Sequence, residues 1–365
     1  MKIKIENKLI GEDEPCFIIA EAGINHNNSL DMAKKMIDVA KESGCDAIKF
    51  QTFKAKLMYP KTAGTYETDG NVINIYDSMK KIELPESWIP ELMNYCKQKN
   101  IIFFTSVSDT WSVDVMNKYG INVFKLTSYD TTNIPLLEHT AKQNKPIIMS
   151  VGGAYLNEVD EAINAIKKFN NNLAVMHCVT KYPAPLENCN LNCLETLKLV
   201  YPNIVIGYSD HTEDPVKAPV AAVFKGAKII EKHITLDKNL PGADQRFALN
   251  PEQLKQMITA IRETETKIKN KEDFEFDQIV LGSYEKKPTE IELYVRNFAY
   301  RSIFATKDIK KEEKLTKENI EILRNGENNP GLHPRYYNMF IEKGSKVIRN
   351  IKEGTALTWD DLIES

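Results

Sequence analysis

Two histidines end neighbouring strand-like runs and could together bind a divalent metal ion. His211 closes an apolar run at residues 204–211, and His233 closes a second run at residues 228–233, with a helical stretch between them. Consecutive strands of a βαβ series lie parallel and adjacent, so their ends meet at one edge of the sheet. Neutral imidazole is the commonest protein ligand for such metals. The alternative is that both are unrelated polar residues at strand ends.

Further polar side chains follow the other strand-like runs. Collected along the chain, they are Glu21, Asn25, His26, Lys49, Gln51, Ser106, Lys125, Ser128, Asp130, Ser150, Tyr182, Ser209, Asp210, Glu231 and Asp244. Lysines and hydroxyls can surround a phosphate or carboxylate with charge-assisted hydrogen bonds. A bound metal can polarise a carbonyl oxygen, and a carboxylate can move a proton. The set therefore predicts an anionic substrate and a carbonyl electrophile.

The two lysines indicate a functional site more strongly than the serines or the remaining histidines do. Lys49 and Lys125 lie inside apolar runs, where an unpaired ammonium group is costly to bury. Serines at strand ends often do no more than cap the next helix. His26 can bond to its own loop. We expect His177 to be a satisfied core residue and His139 to be solvated on a helix surface.

The elements that must position these residues recur as a strand followed by a helix. Eight apolar runs, starting at residue 16 and ending at residue 231, each precede a helical pattern. Eight such units predict an α/β fold, a (β/α)8 TIM barrel, whose active site lies at the carboxyl ends of the strands. A doubly wound open sheet is the alternative, but nothing in the sequence resembles a Gly-rich dinucleotide turn.

The pattern along the chain predicts two domains. Residues 1–270 form the predicted barrel, and the charged segment 271–297 is the predicted linker. Residues 298–365 consist of short extended segments and turns, which predicts a small β-rich domain that leans on another surface. Residues 52–84 show little periodicity after the second strand, and we predict that they form a loop that covers the substrate at the barrel mouth.

Composition excludes several classes of protein. The chain has 365 residues, 42% of them hydrophobic and 27% charged, with a formal net charge of −3. These values are typical of a soluble globular protein and give no electrostatic footprint for nucleic acid. The start lacks the apolar segment of a signal peptide, and no run approaches the roughly 18 apolar residues of a membrane span. The six cysteines are scattered along the chain, and we expect them to be reduced thiols in the core. We predict a cytoplasmic protein with no nucleic acid or membrane partner.

Several motifs match one family of enzymes. They are EAGINH at 21–26, KFQ at 49–51, KLTS at 125–128, YPAP at 182–185, GYSDHT at 207–212 and EKHITLD at 231–237. With these motifs the chain resembles the bacterial sialic acid synthases, which condense phosphoenolpyruvate with a six-carbon amino sugar to give nine-carbon acids. Its tail resembles the antifreeze-like (SAF) domain of that family through Arg301–Ile303, Asp308–Ile309, Leu315–Thr316 and Asn319–Ile320. The resemblance covers nearly the whole chain.

The resemblance implies a role for each matching residue. His211 and His233 would bind the metal, Mn²⁺ by family analogy, with Mg²⁺ or Co²⁺ as alternatives. Glu21 would transfer a proton, as a catalytic residue beside Lys49 and Lys125. Phosphoenolpyruvate would be held by Lys49, Ser106, Lys125, Ser128, Ser150 and Ser209, and the sugar would face Gln51, Asp130, Tyr182 and Asp244. Arg324 fits the tail arginine that reaches the active site of a partner subunit, in a domain-swapped homodimer.

Five positions depart from the common pattern and leave the acceptor sugar open; one of them is Val151, which replaces Thr. Thr180 replaces Asn, Ala243 replaces Pro, Gln245 replaces His, and Asn325 replaces Pro. We rank N-acetylmannosamine first as the acceptor, the diacetamido precursor of legionaminate second and the precursor of pseudaminate third. Two rivals remain: a related phosphoenolpyruvate-dependent synthase of an eight-carbon sugar acid phosphate, and a catalytically inactive sugar-binding protein on the same fold.

Overall fold

Eight parallel strands close into a barrel. The computed structural model describes residues 1–68, 71–273 and 275–362, and the elements below lie within them. In chain order the strands are β1 (Lys2–Ile5), β2 (Lys8–Gly11), β3 (Phe17–Gly23), β4 (Ala47–Thr52), β5 (Thr65–Thr68), β6 (Asn71–Asn74), β7 (Ile102–Val107), β8 (Phe124–Leu126), β9 (Ile147–Ser150), β10 (Leu173–Cys178), β11 (Val205–Asp210), β12 (Ile229–His233), β13 (Arg301–Ala305) and β14 (Ile320–Arg324). The barrel runs β3-β4-β7-β8-β9-β10-β11-β12 and closes from β12 back to β3. The predicted (β/α)8 barrel is confirmed.

A helix follows each barrel strand and covers its outer face. In chain order the helices are α1 (Leu30–Ser43), α2 (Ile75–Lys81), α3 (Trp88–Lys99), α4 (Thr110–Lys118), α5 (Ile134–Ala141), α6 (Leu156–Lys167), α7 (Cys193–Val200), α8 (Lys217–Phe224), α9 (Pro251–Asn270), α10 (Leu293–Ala299) and α11 (Tyr337–Lys343). Nearly every residue of the barrel strands is buried, as expected for parallel strands that are covered on both faces. No described helix is long and apolar enough to cross a membrane.

Local sequence signals fix where the helices begin and end. The Ser29 side chain accepts a hydrogen bond from the Met32 amide at the start of α1, and Gly44, with φ of +95°, ends that helix. Asn250 and Gln253 form a capping box at the start of α9, with a proline in its first turn. These boundaries leave the polar residues after each strand in short loops at the barrel mouth.

The segment at 52–84 contains more regular structure than the sequence predicts. Strands β5 and β6 pair as a hairpin, and α2 follows directly. A separate apolar cluster includes Phe53, Met58, Tyr59 and Ile75. The N-terminal hairpin of β1 and β2 is a second element that the sequence analysis did not predict.

The C-terminal domain is built on an antiparallel pair, β13 and β14, with its own core of buried apolar residues. The predicted linker segment contains short helical turns and most of α10, and it runs along the barrel. The tail then lies over the mouth of its own barrel, where Arg301 Nε donates to Asp130 Oδ1 at 2.7 Å. A β-rich tail that leans on another surface was predicted, and that surface is the barrel mouth.

Candidate active site

A cavity of about 120 Å³ at the barrel mouth collects most of the predicted site residues. It is lined by Glu21, Lys49, Gln51, Phe53, Met58, Met79, Ser106, Ser108, Lys125, Thr127, Ser128, Tyr129, Ser150, Cys178, Tyr182, Ser209, His211, Glu231, His233 and Arg324. The parallel strands bring these residues together because their carboxyl ends share one rim. A larger cavity of about 820 Å³ lies near Glu6, Asp46 and Cys96, away from these strand ends, and is lined by none of the predicted site residues.

Two buried lysines alternate with two buried carboxylates at the floor of the site. Lys49 Nζ lies 2.9 Å from Glu21 Oε2 and 3.6 Å from Glu231 Oε1, and Lys125 Nζ lies 3.8 Å from the same Glu231 oxygen. Burial lowers the pKa of Lys49, but the two carboxylates outweigh it and raise that pKa overall. Burial dominates at Lys125 and lowers its pKa. The sequence predicts Glu231 at this rim without indicating a role for it.

Glu21 is the carboxyl group best placed to exchange a proton. Burial raises its pKa to about 7, against the opposing attraction of Lys49. Its Oε1 accepts a hydrogen bond from Gln51 Nε2 at 2.9 Å. A carboxyl group that titrates near neutral pH can both accept and release a proton during turnover. The predicted proton-transfer role of Glu21 therefore fits its surroundings.

The predicted phosphoenolpyruvate residues face one another across the barrel. Lys125 Nζ donates to Ser150 Oγ at 2.7 Å, and Ser128 Oγ accepts from the Gly152 amide at 2.9 Å. Ser209 Oγ donates to Glu231 Oε1 at 3.2 Å. Two ammonium groups and several hydroxyl donors in one buried space suit a phosphate or carboxylate.

His211 and His233 present neutral imidazoles to each other, with ring centres 5.6 Å apart. Burial lowers the pKa of His211 to about 4 and that of His233 well below its usual value. His211 Nδ1 lies 2.7 Å from the Val179 carbonyl oxygen, which can only accept, so Nε2 is left free for a metal. His233 Nδ1 is buried and has no hydrogen-bond partner in the described residues.

These two imidazoles fit a divalent cation that takes its remaining ligands from substrate or water. No group of three or more His, Cys, Asp or Glu residues within the described ranges could hold a metal by itself. Asp244 Oδ2 lies 3.7 Å from His233 Nδ1, which places it beside the pair. A catalytic metal site characteristically keeps positions open for substrate.

Three residues expected near the sugar are turned away from the cavity. Asp130 is fully buried in an ion pair with Arg301 and does not line the cavity, so its contact with the sugar stays a prediction that this geometry does not support. Glu292 Oε1 accepts from both the amide and the hydroxyl of Thr180. Gln245 is also buried and lies 2.5 Å from Thr235 Oγ1. Thr180 and Gln245, two of the departures from the family pattern, do not line the cavity, because their side chains form hydrogen bonds within the protein instead.

Three of the four histidines outside the pair were discussed from sequence, and each has the surroundings that were expected. His26 Nδ1 accepts from the Asn28 amide of its own loop at 3.2 Å. His177 is buried, with Nε2 2.8 Å from the Cys189 carbonyl oxygen. His139 pairs with Asp114 on a partly exposed surface. None of the three lines the cavity.

Arg324 enters the cavity of its own chain. Its guanidinium carbon lies 4.8 Å from the ring centre of Tyr129, and its amide donates to the Met58 carbonyl oxygen at 2.8 Å. The family resemblance implies an arginine from a partner subunit, whereas the single chain makes this contact in cis. Homodimer formation and exchange of the tail stay predictions.

The fold and the site define a (β/α)8-barrel protein in which two buried lysines and several serines lie beside a histidine pair, in a cavity closed by a C-terminal domain. Comparison with known families gives the same result from sequence. The profile of the NeuB family matches residues 36–273, and that of the SAF domain matches residues 300–363. The chain belongs to the NeuB family and carries a SAF domain.

Individual relatives extend over the same range. The spore coat polysaccharide biosynthesis protein SpsE of Bacillus subtilis is 46% identical over 362 residues, 99% of this chain and 97% of the relative. The crystal structure of the same Bacillus subtilis protein superposes with a TM-score of 0.91 and covers 100% of both chains, at 44% identity. The N,N'-diacetyllegionaminic acid synthase of Legionella pneumophila is 37% identical, with 96% of each chain covered.

Proposed function

We propose that the protein condenses phosphoenolpyruvate with an acetamido sugar of the N-acetylmannosamine type and water, to give a nine-carbon 2-keto acid and phosphate. The observation that carries this proposal is that a group of lysines and serines and a pair of histidines line the same small cavity. Lys49, Lys125 and the four serines predicted to hold phosphoenolpyruvate line the cavity and would form an anion-binding floor, and His211 and His233 lie beside them. Relatives named as sialic, legionaminic and pseudaminic acid synthases support the same reaction class.

The donor half of the site would bind phosphoenolpyruvate and fix its C3 atom towards the acceptor. Lys125 and Ser150 are already hydrogen-bonded, so the ammonium and hydroxyl groups are held before an anion arrives. Holding both reactants in one orientation removes much of the entropic cost of a bimolecular reaction. A divalent cation, Mn²⁺ by family analogy, would be held by His211 and His233 and would polarise the aldehyde oxygen of the acceptor.

The reaction would begin with a bond between C3 of phosphoenolpyruvate and the aldehyde carbon. The aldehyde oxygen gains a proton, and C2 becomes an oxocarbenium-like centre. Water adds to C2 and loses one proton, which leaves a hydroxyl group there. The C2–O bond to phosphate then breaks, the hydroxyl proton passes to the departing phosphate, and the 2-keto group remains. Glu21 is the group placed to carry these protons, since burial raises its pKa to about 7 and Lys49 lies 2.9 Å away.

The acceptor side has an apolar wall that favours a deoxy sugar. Phe53 and Met58 are almost fully buried, and they line the cavity together with Met79. Such a wall stabilises a terminal methyl group by about 0.8 kcal/mol per carbon, whereas a hydroxymethyl group there would lack a hydrogen-bond partner. The sequence ranks N-acetylmannosamine first. Because of this apolar wall, we rank the 6-deoxy diacetamido precursor of legionaminate ahead of N-acetylmannosamine as the acceptor.

Comparison of kcat/KM for the two sugars tests the choice of acceptor. We expect the 6-deoxy sugar to be preferred by about tenfold or more, and the change Met79→Gln to reduce that preference. A preference for N-acetylmannosamine in the wild type would restore the ranking from sequence.

Phosphate release tests the reaction class. Purified protein should release phosphate from phosphoenolpyruvate only when an acceptor sugar is present, lose this activity after chelation and regain it with Mn²⁺. Release without sugar, or no release with any of the three acceptors, would contradict the proposal. The eight-carbon rival predicts turnover with a five-carbon sugar phosphate, and the sugar-binding rival predicts binding without release.

A further inference from the structure

The buried guanidinium of Arg301 joins four segments of the chain. Its side chain is 1% exposed, and Nε donates to Asp130 Oδ1 at 2.7 Å. Nη2 donates to the Ser108 carbonyl oxygen at 2.7 Å, and Nη1 donates to the carbonyl oxygens of Leu57 and Ile322, each at 3.1 Å. One residue of the tail therefore binds three different loops of the barrel and the second strand of the tail.

Each of these segments carries a group that lines the cavity. Met58 follows Leu57, Ser108 lines the cavity itself, and Tyr129 precedes Asp130. On the tail side, Ile322 lies two residues before Arg324. The donor groups Lys125, Ser150 and Ser209 have no direct bond to Arg301 among the described contacts. The guanidinium thus bonds directly to none of the residues predicted to hold phosphoenolpyruvate, although Asp130 shares a short helical turn with Ser128, and we assign the groups that it connects to the acceptor half of the cavity.

The pairing of β13 and β14 ties Arg301 directly to Arg324. These two residues are partners in the antiparallel register, so their side chains leave the same face of the hairpin. Asp130 holds one of the two guanidinium groups. The amide of Arg324 is held by the Met58 carbonyl oxygen, which belongs to the loop that Arg301 also binds. Movement of Arg301 would therefore shift Arg324 together with Met58, which belongs to the apolar wall of the cavity.

Three acidic residues surround the Arg301 guanidinium, and one of them, Asp130, is bound to it directly. Asp130 is fully buried, and its second oxygen accepts from Thr127 Oγ1 at 2.7 Å. Asp109 and Glu321 lie close enough for their charges to act on each other and on Arg301. A planar guanidinium with fixed donors can satisfy a carboxylate and three carbonyl groups at once, which a lysine cannot do.

We propose that Arg301 and Asp130 are positioning residues that assemble the acceptor half of the active site, acting through Arg324, Met58 and Tyr129. This inference rests on the proposed function. It replaces the sugar-binding role first expected of Asp130 with an indirect one. It also assigns to Arg301, the first residue of β13, a role in substrate affinity that the barrel residues do not supply.

The test compares Arg301→Lys and Asp130→Asn with wild type in steady-state kinetics. We expect the KM for the acceptor sugar to rise about tenfold or more in each variant, with kcat and the KM for phosphoenolpyruvate changed less than about threefold. The matched control is Arg335→Gln, which removes a partly exposed ion pair between tail and barrel, that of Arg335 with Glu161 at 2.7 Å. The control should resemble wild type.

A second comparison separates positioning from general stability. In an Arg324→Ala background the change Arg301→Lys should raise the acceptor KM by a smaller factor than in wild type, because part of the effect of Arg301 on the sugar passes through Arg324. If Asp130→Asn does not fold, the double change Asp130→Leu with Arg301→Met supplies an apolar pair in its place. That protein should fold and show the same selective rise in acceptor KM.

The outcomes are distinguishable. Equal losses for both substrates, or an unchanged acceptor KM in a folded variant, would overturn the positioning role. Full additivity with Arg324→Ala would overturn the route through Arg324. Absence of turnover in the wild type with every acceptor would instead overturn the proposed function on which the inference rests.

Discussion

Arg301 on β13 and Arg324 on β14 are paired in the antiparallel register, but their side chains have different surroundings. Arg301 lies 2.7 Å from a carboxylate oxygen of Asp130, whereas Arg324 enters the cavity with its guanidinium against Tyr129. The Nε atom of Arg324 is buried and has no hydrogen-bond partner in the described residues. One arginine fixes the tail, and the other retains a donor for a substrate.

Replacement of Arg324 by alanine should weaken acceptor binding. A charge-assisted hydrogen bond contributes about 1.5–3 kcal/mol, so we expect the KM for the sugar to rise roughly tenfold to a hundredfold. The KM for phosphoenolpyruvate should change little. Steady-state kinetics with each substrate varied in turn provide the measurement, and an unchanged acceptor KM would remove Arg324 from the sugar site.

Mixing a variant that binds the acceptor weakly with one that lacks a predicted metal ligand distinguishes a tail that acts in cis from one that acts on a partner subunit, when activity is measured far below the acceptor KM of the weakly binding variant. Arg324 contacts its own barrel, so a mixture of Arg324→Ala and His211→Ala chains should show no recovery after subunit exchange. Recovery of about a quarter of wild-type activity would show that the tail is exchanged between two chains, as the family resemblance implies.

Removal of either histidine of the pair should abolish turnover and metal binding without unfolding the protein. His211→Ala and His233→Ala each leave only one imidazole at the rim. His139→Ala is the matched control, because His139 lies on the surface beside Asp114. Metal content after dialysis and the thermal unfolding midpoint give the two readouts. Full activity in either site variant would disprove the metal assignment.

The change Glu21→Gln should lower kcat by about two to four orders of magnitude, which is the usual contribution of a positioned acid or base. Glutamine can still accept a hydrogen bond from Gln51 but cannot move a proton. Binding of phosphoenolpyruvate, measured by calorimetry, should persist. A kcat within a few-fold of wild type would assign proton transfer to another group.

Glu321 should make the tail less stable as pH rises. Burial raises the pKa of its carboxyl group, so the folded state holds the proton more tightly than the unfolded state. Its contribution is fully present below the unfolded pKa of about 4.3 and is lost as pH rises through the higher folded pKa. Relative to wild type, Glu321→Gln should therefore gain free energy of unfolding over that interval.

Urea unfolding between pH 4 and pH 8 measures this difference. Each pKa unit corresponds to about 1.4 kcal/mol. Exposed Glu342 supplies the control Glu342→Gln. A gap between Glu321→Gln and wild type that stays constant with pH would contradict the expected linkage.

The barrel could be predicted from sequence because its strands are continuous apolar runs with polar ends. The run predicted from residue 16 is strand β3, and the histidines fall at the rim as their spacing indicated. The β1–β2 hairpin was missed, although Lys2–Ile5 alternates exposed and buried residues as an antiparallel edge does. Its four residues are too short to stand out against the longer runs.

The direction of individual polar side chains could not be predicted in the same way. Asp130 meets Arg301 across 171 residues, and Thr180 meets Glu292 across 112 residues. Such partners become neighbours only after the tail and linker have packed on the barrel. For the same reason Phe53, Met58 and Met79 were missed, since an apolar residue in a long loop gives no signal of the cavity it lines.

The most direct test of the central claim is the fate of the C3 carbon of phosphoenolpyruvate. The protein is incubated with [3-¹³C]phosphoenolpyruvate, Mn²⁺ and the preferred acceptor uniformly labelled with ¹³C, and the product is examined by ¹³C NMR. The account predicts a one-bond coupling between the labelled C3 and the former aldehyde carbon, with one phosphate released per product. Labelled pyruvate beside unchanged sugar would contradict it.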